Sequence, residues 1–244
     1  MKTLRIILRF LFFAAYTSWI VARIAVLNLL LGQDIHRSMR IRKAWASRLI
    51  PAVGIQLRVF GQIPDRSCLI VSNHRSYLDP ILVLKDVNVF PVAKAELANW
   101  PIIGKGAKMA GILYVKREHA GSRVGTIKQM QDLVSNGFSV LIFPEGTTSG
   151  RPDTLPFKKG AFKMAAQSGM KIVPVAICFD NPADFWIGKI SFLSHAAKRF
   201  GEPAIRVSVY YGPAITNENP ELLLENVQRW INDTLNNTHA THSS

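Results

Sequence analysis

Two short stretches carry side chains able to do acid–base chemistry. In VSNHRSYLD, His74 and Asp79 stand five positions apart, directly after an apolar run. Imidazole titrates near neutrality, and a carboxylate on its other nitrogen fixes the tautomer and stabilises the imidazolium, so the pair suits general-base work. The same residues also read as a helix start, with Ser76 as cap and Asp79 three positions later in a Ser-x-x-Asp capping box, which makes His74 a turn residue. Spacing alone leaves both readings open. Further on, SVLIFPEGTTSGRPDTLPFKKGAF joins an apolar run to a Pro turn, Glu145, Gly146, Thr147 and the basic pair Lys158 and Lys159. Backbone N–H groups around Gly146 and Thr147, with hydroxyls and lysines beside them, form a possible cradle for a phosphate. An ordinary strand-to-helix loop with a solvated Glu accounts for this stretch about as well.

These residues need a frame to hold them. From about residue 57, short β-branched runs alternate with helical patterns and Gly or Pro punctuation. The strand candidates are 57–60, 68–72, 89–93, 112–115, 139–143, 172–179 and 205–211; the helix candidates are 77–85, 121–135, 160–168 and 220–235. The alternation predicts an α/β fold with a mostly parallel central sheet flanked by helices, whose ligand sites lie beyond the carboxyl ends of the strands. His74 and Glu145 both follow strand candidates directly. The expected organisation is a basic, membrane-associated N-terminal segment over 1–54, one domain over 55–235 and a loose polar tail over 236–244.

The N-terminal segment is apolar from residue 10 to 31 apart from Tyr16, Thr17, Ser18, Arg23 and Asn28, long enough for the roughly 20 residues of a membrane span. Arg23 interrupts a simple span, and Lys2, Arg9, Tyr16 and Arg23 recur every seven residues as one polar stripe. This pattern predicts a helix at or dipping into the membrane interface. No small-x-small site follows it, so a cleaved leader is not expected. In the next segment, DIHRSMRIRKAWASRLI, Ile35, Met39, Ala46 and Leu49 share one face while Arg37, Arg40, Lys43 and Arg48 point elsewhere. Together the two predict a helical hairpin offering apolar surface and positive charge to anionic lipid, with the body on the cytoplasmic side of the inner membrane.

Composition narrows the partners. A hydrophobic fraction of 48% over 244 residues excludes a disordered chain, and a formal charge of +14 favours an anionic partner: a bilayer, an acidic carrier or nucleic acid. A non-enzymatic basic protein binding membrane or nucleic acid is the rival class, but the charge is enriched near the membrane-like segment and no stacking-aromatic motif is present, so nucleic acid is not expected. Cys68 and Cys178 lie in apolar runs and read as core thiols. The remaining histidines do not cluster in sequence, and no metal site or cofactor is expected. GKGAKM has two of the three glycines of a dinucleotide loop but no strand leading into it; a nucleophile elbow, a His-Glu-x-x-His helix and a Walker loop are all absent.

Four blocks in order resemble the glycerolipid acyltransferase family, whose best-known members are 1-acylglycerol-3-phosphate acyltransferases. They are His74 and Asp79 as His-x-x-x-x-Asp; GILYVKR from Gly111 to Arg117; FPEGT from Phe143 to Thr147; and IVPVAI around Pro174. The resemblance covers about residues 55–215. It implies transfer of a fatty acyl group from acyl carrier protein or acyl-coenzyme A to the free hydroxyl of a lyso-glycerolipid, most simply 1-acylglycerol-3-phosphate to give phosphatidic acid. His74 is then the base and Asp79 its partner, while Gly111, Arg117, Glu145, Gly146 and Thr147 serve acceptor binding and Lys94 and Lys158 supply further charge. One position departs from the pattern. Where many members read Glu-Gly-Thr-Arg-Ser, this chain has Thr148, which weakens the case for a phosphate acceptor and admits others, including lyso-ornithine lipid.

Overall fold

The computed structural model describes residues 1–99, 106, 108–116 and 120–242. Among them, strands β1 (Ile55–Gly61), β2 (Leu69–Ser72), β3 (Val89–Lys94), β4 (Leu113–Val115), β5 (Ser139–Ile142), β6 (Ile172–Phe179) and β7 (Ile205–Tyr211) form one sheet in the order β1-β7-β6-β2-β5-β3-β4. All neighbours are parallel except β6 and β7. The mostly parallel sheet expected from the alternation is present. Strands β2, β5 and β6 are buried along their whole length, as continuous apolar runs require when both faces are covered.

The period of two sorts each strand between two cores. Ile70 and Leu141 pack with Ala46, Leu82 and Phe200 on one face, whereas Leu69, Val71 and Val140 pack with Phe162, Val227 and Ile231 on the other. The first face is covered by α2 (Ile35–Ala52), α3 (Asp79–Leu84) and α6 (Phe192–Phe200), the second by α4 (Ala120–Ser135), α5 (Gly160–Ser168) and α7 (Pro220–His242). Helix α6 goes beyond the sequence pattern; Ser191 caps it by accepting from the Ser194 N–H. Helix α7 also runs past its expected stop at Leu235. The segment expected as a loose tail is helical as far as His242, with Thr238 buried.

The hairpin is present, but its two helices face different surroundings. Helix α2 buries Met39, Ala46, Leu49 and Ile50 in the domain, so its apolar face is core and not lipid-facing as expected. Its Arg42, only 4% exposed, donates to the carbonyls of Val89, Ala110 and Gly111, joining the helix to the start of β3 and to the turn before β4. Helix α1 (Lys2–Leu31) buries Thr17, Ile20 and Ile24 and carries apolar side chains on its outer face as well. Part of its polar stripe turns inward: Lys2 pairs with Glu202 at 2.9 Å, Arg5 donates to the Gly201 carbonyl, and Arg9 donates to the carbonyls of Phe200, Glu202 and Pro203. These guanidinium groups neutralise the partial negative charge at the carboxyl end of α6. Leu4, Leu8, Leu11, Trp19, Val26 and Leu30 face outward, each more than half exposed.

Candidate active site

His74 and Glu145 stand past the carboxyl ends of β2 and β5, adjacent parallel strands paired Val71 to Ile142. Asn73 prolongs the β2 ladder with its side chain: the amide donates to the Ile177 carbonyl at 2.9 Å and accepts from the Ile177 N–H at 2.8 Å. The chain then turns, and α3 brings Asp79 back. Asp79 Oδ2 lies 2.7 Å from His74 Nδ1 and accepts from the backbone N–H groups of Arg75 at 2.6 Å and Ser76 at 2.8 Å. The helix start and the His74–Asp79 pair are thus one arrangement. The carboxylate reaching back to the Ser76 N–H is half of a capping box, while the Ser76 hydroxyl accepts only a long bond from Leu78 N–H at 3.4 Å. Asp79 is fully buried, and the His74 side chain is 20% exposed with its ring stacked on Phe143 at 4.2 Å. With Nδ1 engaged by the carboxylate, Nε2 is the basic atom.

The FPEGT loop is laced to this turn. Glu145 Oε1 accepts from the His74 N–H at 2.7 Å and Oε2 from the Leu155 N–H at 2.8 Å. The Ser149 N–H donates back to the His74 carbonyl, and buried Arg75 donates to the carbonyls of Ser149 and Pro152, each at 3.0 Å. Both carboxylate oxygens of Glu145 therefore hold main-chain N–H groups, one of them that of His74. Burial pushes its carboxyl above the ordinary carboxylate range, against the pull of the two N–H donors. A carboxyl raised by folding holds its proton more tightly in the folded chain, so its ionisation costs stability as pH rises through that range. Glu145→Gln lacks this slope but turns an NH₂ toward one of the two N–H groups. The expected net loss at neutral pH is about 1–3 kcal/mol by urea denaturation, with a flatter pH dependence than the parent.

A cavity of about 500 Å³ opens beside the His74 ring, and its lining is chiefly apolar. It runs between α1 and the domain, past Phe13, Ile20, Leu49, Leu78 and Phe143. Lys94, Gly146 and Thr147 line it together with His74, so the structure gathers these four expected site residues around one space. Gly146 has φ 77°, and a Cβ there would meet Lys158 Nζ at 2.7 Å, which places this amine directly over the loop.

Gly111 is not part of that lining. Its φ of 85° makes a turn, its carbonyl accepts from Arg42, and a Cβ would meet the Phe90 ring, contacts that serve the fold. Arg117 lies outside the described residues. Three contacts go beyond what the sequence indicates. The Thr148 hydroxyl donates to the Trp186 carbonyl, and the Trp186 N–H donates to the Arg75 carbonyl at 2.8 Å, drawing the loop after β6 over the site. Tyr77 lines the same cavity, and its hydroxyl stands 3.3 Å from His195 Nδ1.

Comparison with known proteins places these features. The profile of the family described as Acyltransferase matches residues 55–178. Over 141 residues, 56% of the chain, 36% of positions are identical to the chloroplastic 1-acyl-sn-glycerol-3-phosphate acyltransferase BAT2 of Brassica napus, of which the match covers 41%. A lyso-ornithine lipid O-acyltransferase of Pseudomonas aeruginosa is 32% identical over 165 residues, 65% of this chain and 63% of that one. The chain thus spans less than two thirds of the length of either relative. The crystal structure of a 1-acyl-sn-glycerophosphate acyltransferase, PlsC, from Thermotoga maritima superimposes with a TM-score of 0.74 over 98% of both chains at 20% identity, a likeness of fold.

Proposed function

The chain belongs to the acyltransferase family, and from that premise we propose that it moves a fatty acyl group from a thioester, on acyl carrier protein or coenzyme A, to the free hydroxyl of 1-acylglycerol-3-phosphate. The observation that carries this reading is the fixed His74–Asp79 pair at the wall of an apolar cavity. His74 Nε2 takes the proton of the acceptor hydroxyl as its oxygen attacks the thioester carbonyl carbon. The tetrahedral oxyanion collapses, the C–S bond breaks, and the thiolate receives the proton from His74. The acceptor hydroxyl takes the place that a serine has in acyl-enzyme chemistry, and the apolar cavity holds the acyl chain.

Such base catalysis contributes about 10²–10⁴-fold, so positioning of both substrates and stabilisation of the tetrahedral oxyanion supply the rest. Lys94, Lys158 and, carried over from the family pattern, Arg117 supply charge for the acceptor phosphate, while Gly146 and Thr147 shape the loop beneath it. The outward apolar face of α1, a helix with mean hydropathy 1.8 over its most apolar window, supports membrane association. The reading places the protein on the inner face of the cytoplasmic membrane, where lipid acceptor and soluble donor meet.

Thr148 favours a second acceptor. Its side chain is engaged by the Trp186 carbonyl and carries no charge, which suits a lyso-lipid without a phosphate, of the kind named for the Pseudomonas relative. Turnover with a panel of lyso-lipids, each with acyl carrier protein and coenzyme A thioesters, separates the two. The primary reading predicts the highest kcat/KM for 1-acylglycerol-3-phosphate. A lyso-ornithine lipid preferred by about tenfold, the effect of roughly one charge-assisted hydrogen bond, makes the second acceptor the substrate.

A further inference from the structure

The loop that follows β6 carries an apolar surface that the transfer reaction leaves unused. Ile187, Ile190 and Leu193 are 40%, 42% and 66% exposed within seven residues, the last of them in the first turn of α6. The segment beneath them is firmly held. Trp186 is bonded through its N–H to Arg75 and through its carbonyl to Thr148, its indole N–H donates to the Ile190 carbonyl at 2.8 Å, and its ring meets Tyr77 edge-on. A pinned loop that keeps three large aliphatic side chains in water is costly, and a surface of this kind marks an interaction site.

Its position indicates the occupant. Trp186, Gly188 and Phe192 line the cavity beside His74, as do Phe13 and Thr17 of α1. The Phe10 ring of α1 lies 5.0 Å from that of Phe200 in α6, so α1 packs on the helix whose first turn carries Leu193. Between Asp184 and Glu202 there is no acidic residue, while Lys189 and Lys198 are both exposed. Lysines beside exposed aliphatic groups match a leaflet with acyl chains below and anionic head groups above.

We propose that residues 187–193 are a second membrane contact, seated in an anionic phospholipid leaflet, so that two of the segments lining the cavity, α1 and this loop, both meet the bilayer and the acceptor reaches the site from it. The proposal rests on the reading of α1 as the membrane-associated helix.

Ile190→Cys, Leu11→Cys on α1 and Ser168→Cys on the opposite side of the sheet, each labelled with an environment-sensitive fluorophore in the full chain, separate the two ideas. Cys68 and Cys178 are free thiols buried in the core, which leaves the introduced thiol as the exposed one. On vesicles of phosphatidylglycerol and phosphatidylethanolamine bearing acyl-chain nitroxides, the labels at 190 and 11 are expected to be quenched at least about twofold and the label at 168 to be unaffected. Quenching at 11 without quenching at 190 overturns the second contact and leaves the α1 reading intact; quenching at neither overturns both. A blue shift at 190 that grows with protein concentration in the absence of lipid assigns the patch to a second copy of the chain and overturns the proposal.

Discussion

Purified His74→Ala is expected to lose acyl transfer by about 10²–10⁴-fold or more in kcat, while its urea denaturation midpoint stays close to that of the parent. The ring contributes little to the fold. It is 20% exposed and its main packing partner is the Phe143 ring at 4.2 Å, a contact worth about 0.5–1.5 kcal/mol. Removing it also leaves Asp79 with its two backbone donors, so the turn keeps its shape. Substantial turnover by the folded variant would remove His74 from the role of base.

Asp79→Asn separates catalysis from capping, because one carboxylate oxygen serves both. The amide is neutral and no longer stabilises the imidazolium, and turnover is expected to fall roughly 10²–10⁴-fold with little change in KM for the thioester. Stability is expected to fall as well, by about 1–3 kcal/mol, because the N–H groups of Arg75 and Ser76 lose a charged acceptor in a fully buried position. Measured per folded molecule, the activity loss must greatly exceed the fraction lost to unfolding. Normal turnover in the folded fraction would make Asp79 a cap and nothing more.

Much of this was legible because it is local. The buried runs LIVS and SVLI announce strands that nothing but a covered sheet accommodates, and they place His74 and Glu145 at strand ends before any contact is known. Even the ambiguity of Ser76 and Asp79 was informative, since one carboxylate oxygen of Asp79 meets both the His74 ring and the Ser76 N–H. Direction and partnership were not legible. The heptad stripe of α1 is plain in the sequence, but that Arg5 and Arg9 turn toward carbonyls at the end of α6 depends on a helix almost 200 positions away. Arg42 sits among basic residues and has the pattern of a solvated side chain, and only the fold delivers three carbonyls to it.

The same limit applies inside the site. Glu145 stands in a motif, which marks it for attention, yet its two acceptor bonds go to backbone groups of residues 74 and 155, a pairing that no spacing rule encodes. Thr148 was conspicuous for the charge it lacks. The hydroxyl bond to the Trp186 carbonyl turns that departure into a positive feature, since it secures the loop over the cavity mouth.

The central claim is direct transfer from thioester to acceptor hydroxyl, with His74 moving the proton and no acyl group ever resting on the protein. Rapid quenching of the purified protein with radiolabelled acyl thioester, first without and then with lyso-lipid, tests it most directly. The account predicts no protein-bound label without acceptor and label appearing only in the diacyl product once acceptor is added. Label that accumulates on the protein and then passes into product on adding lyso-lipid would contradict it.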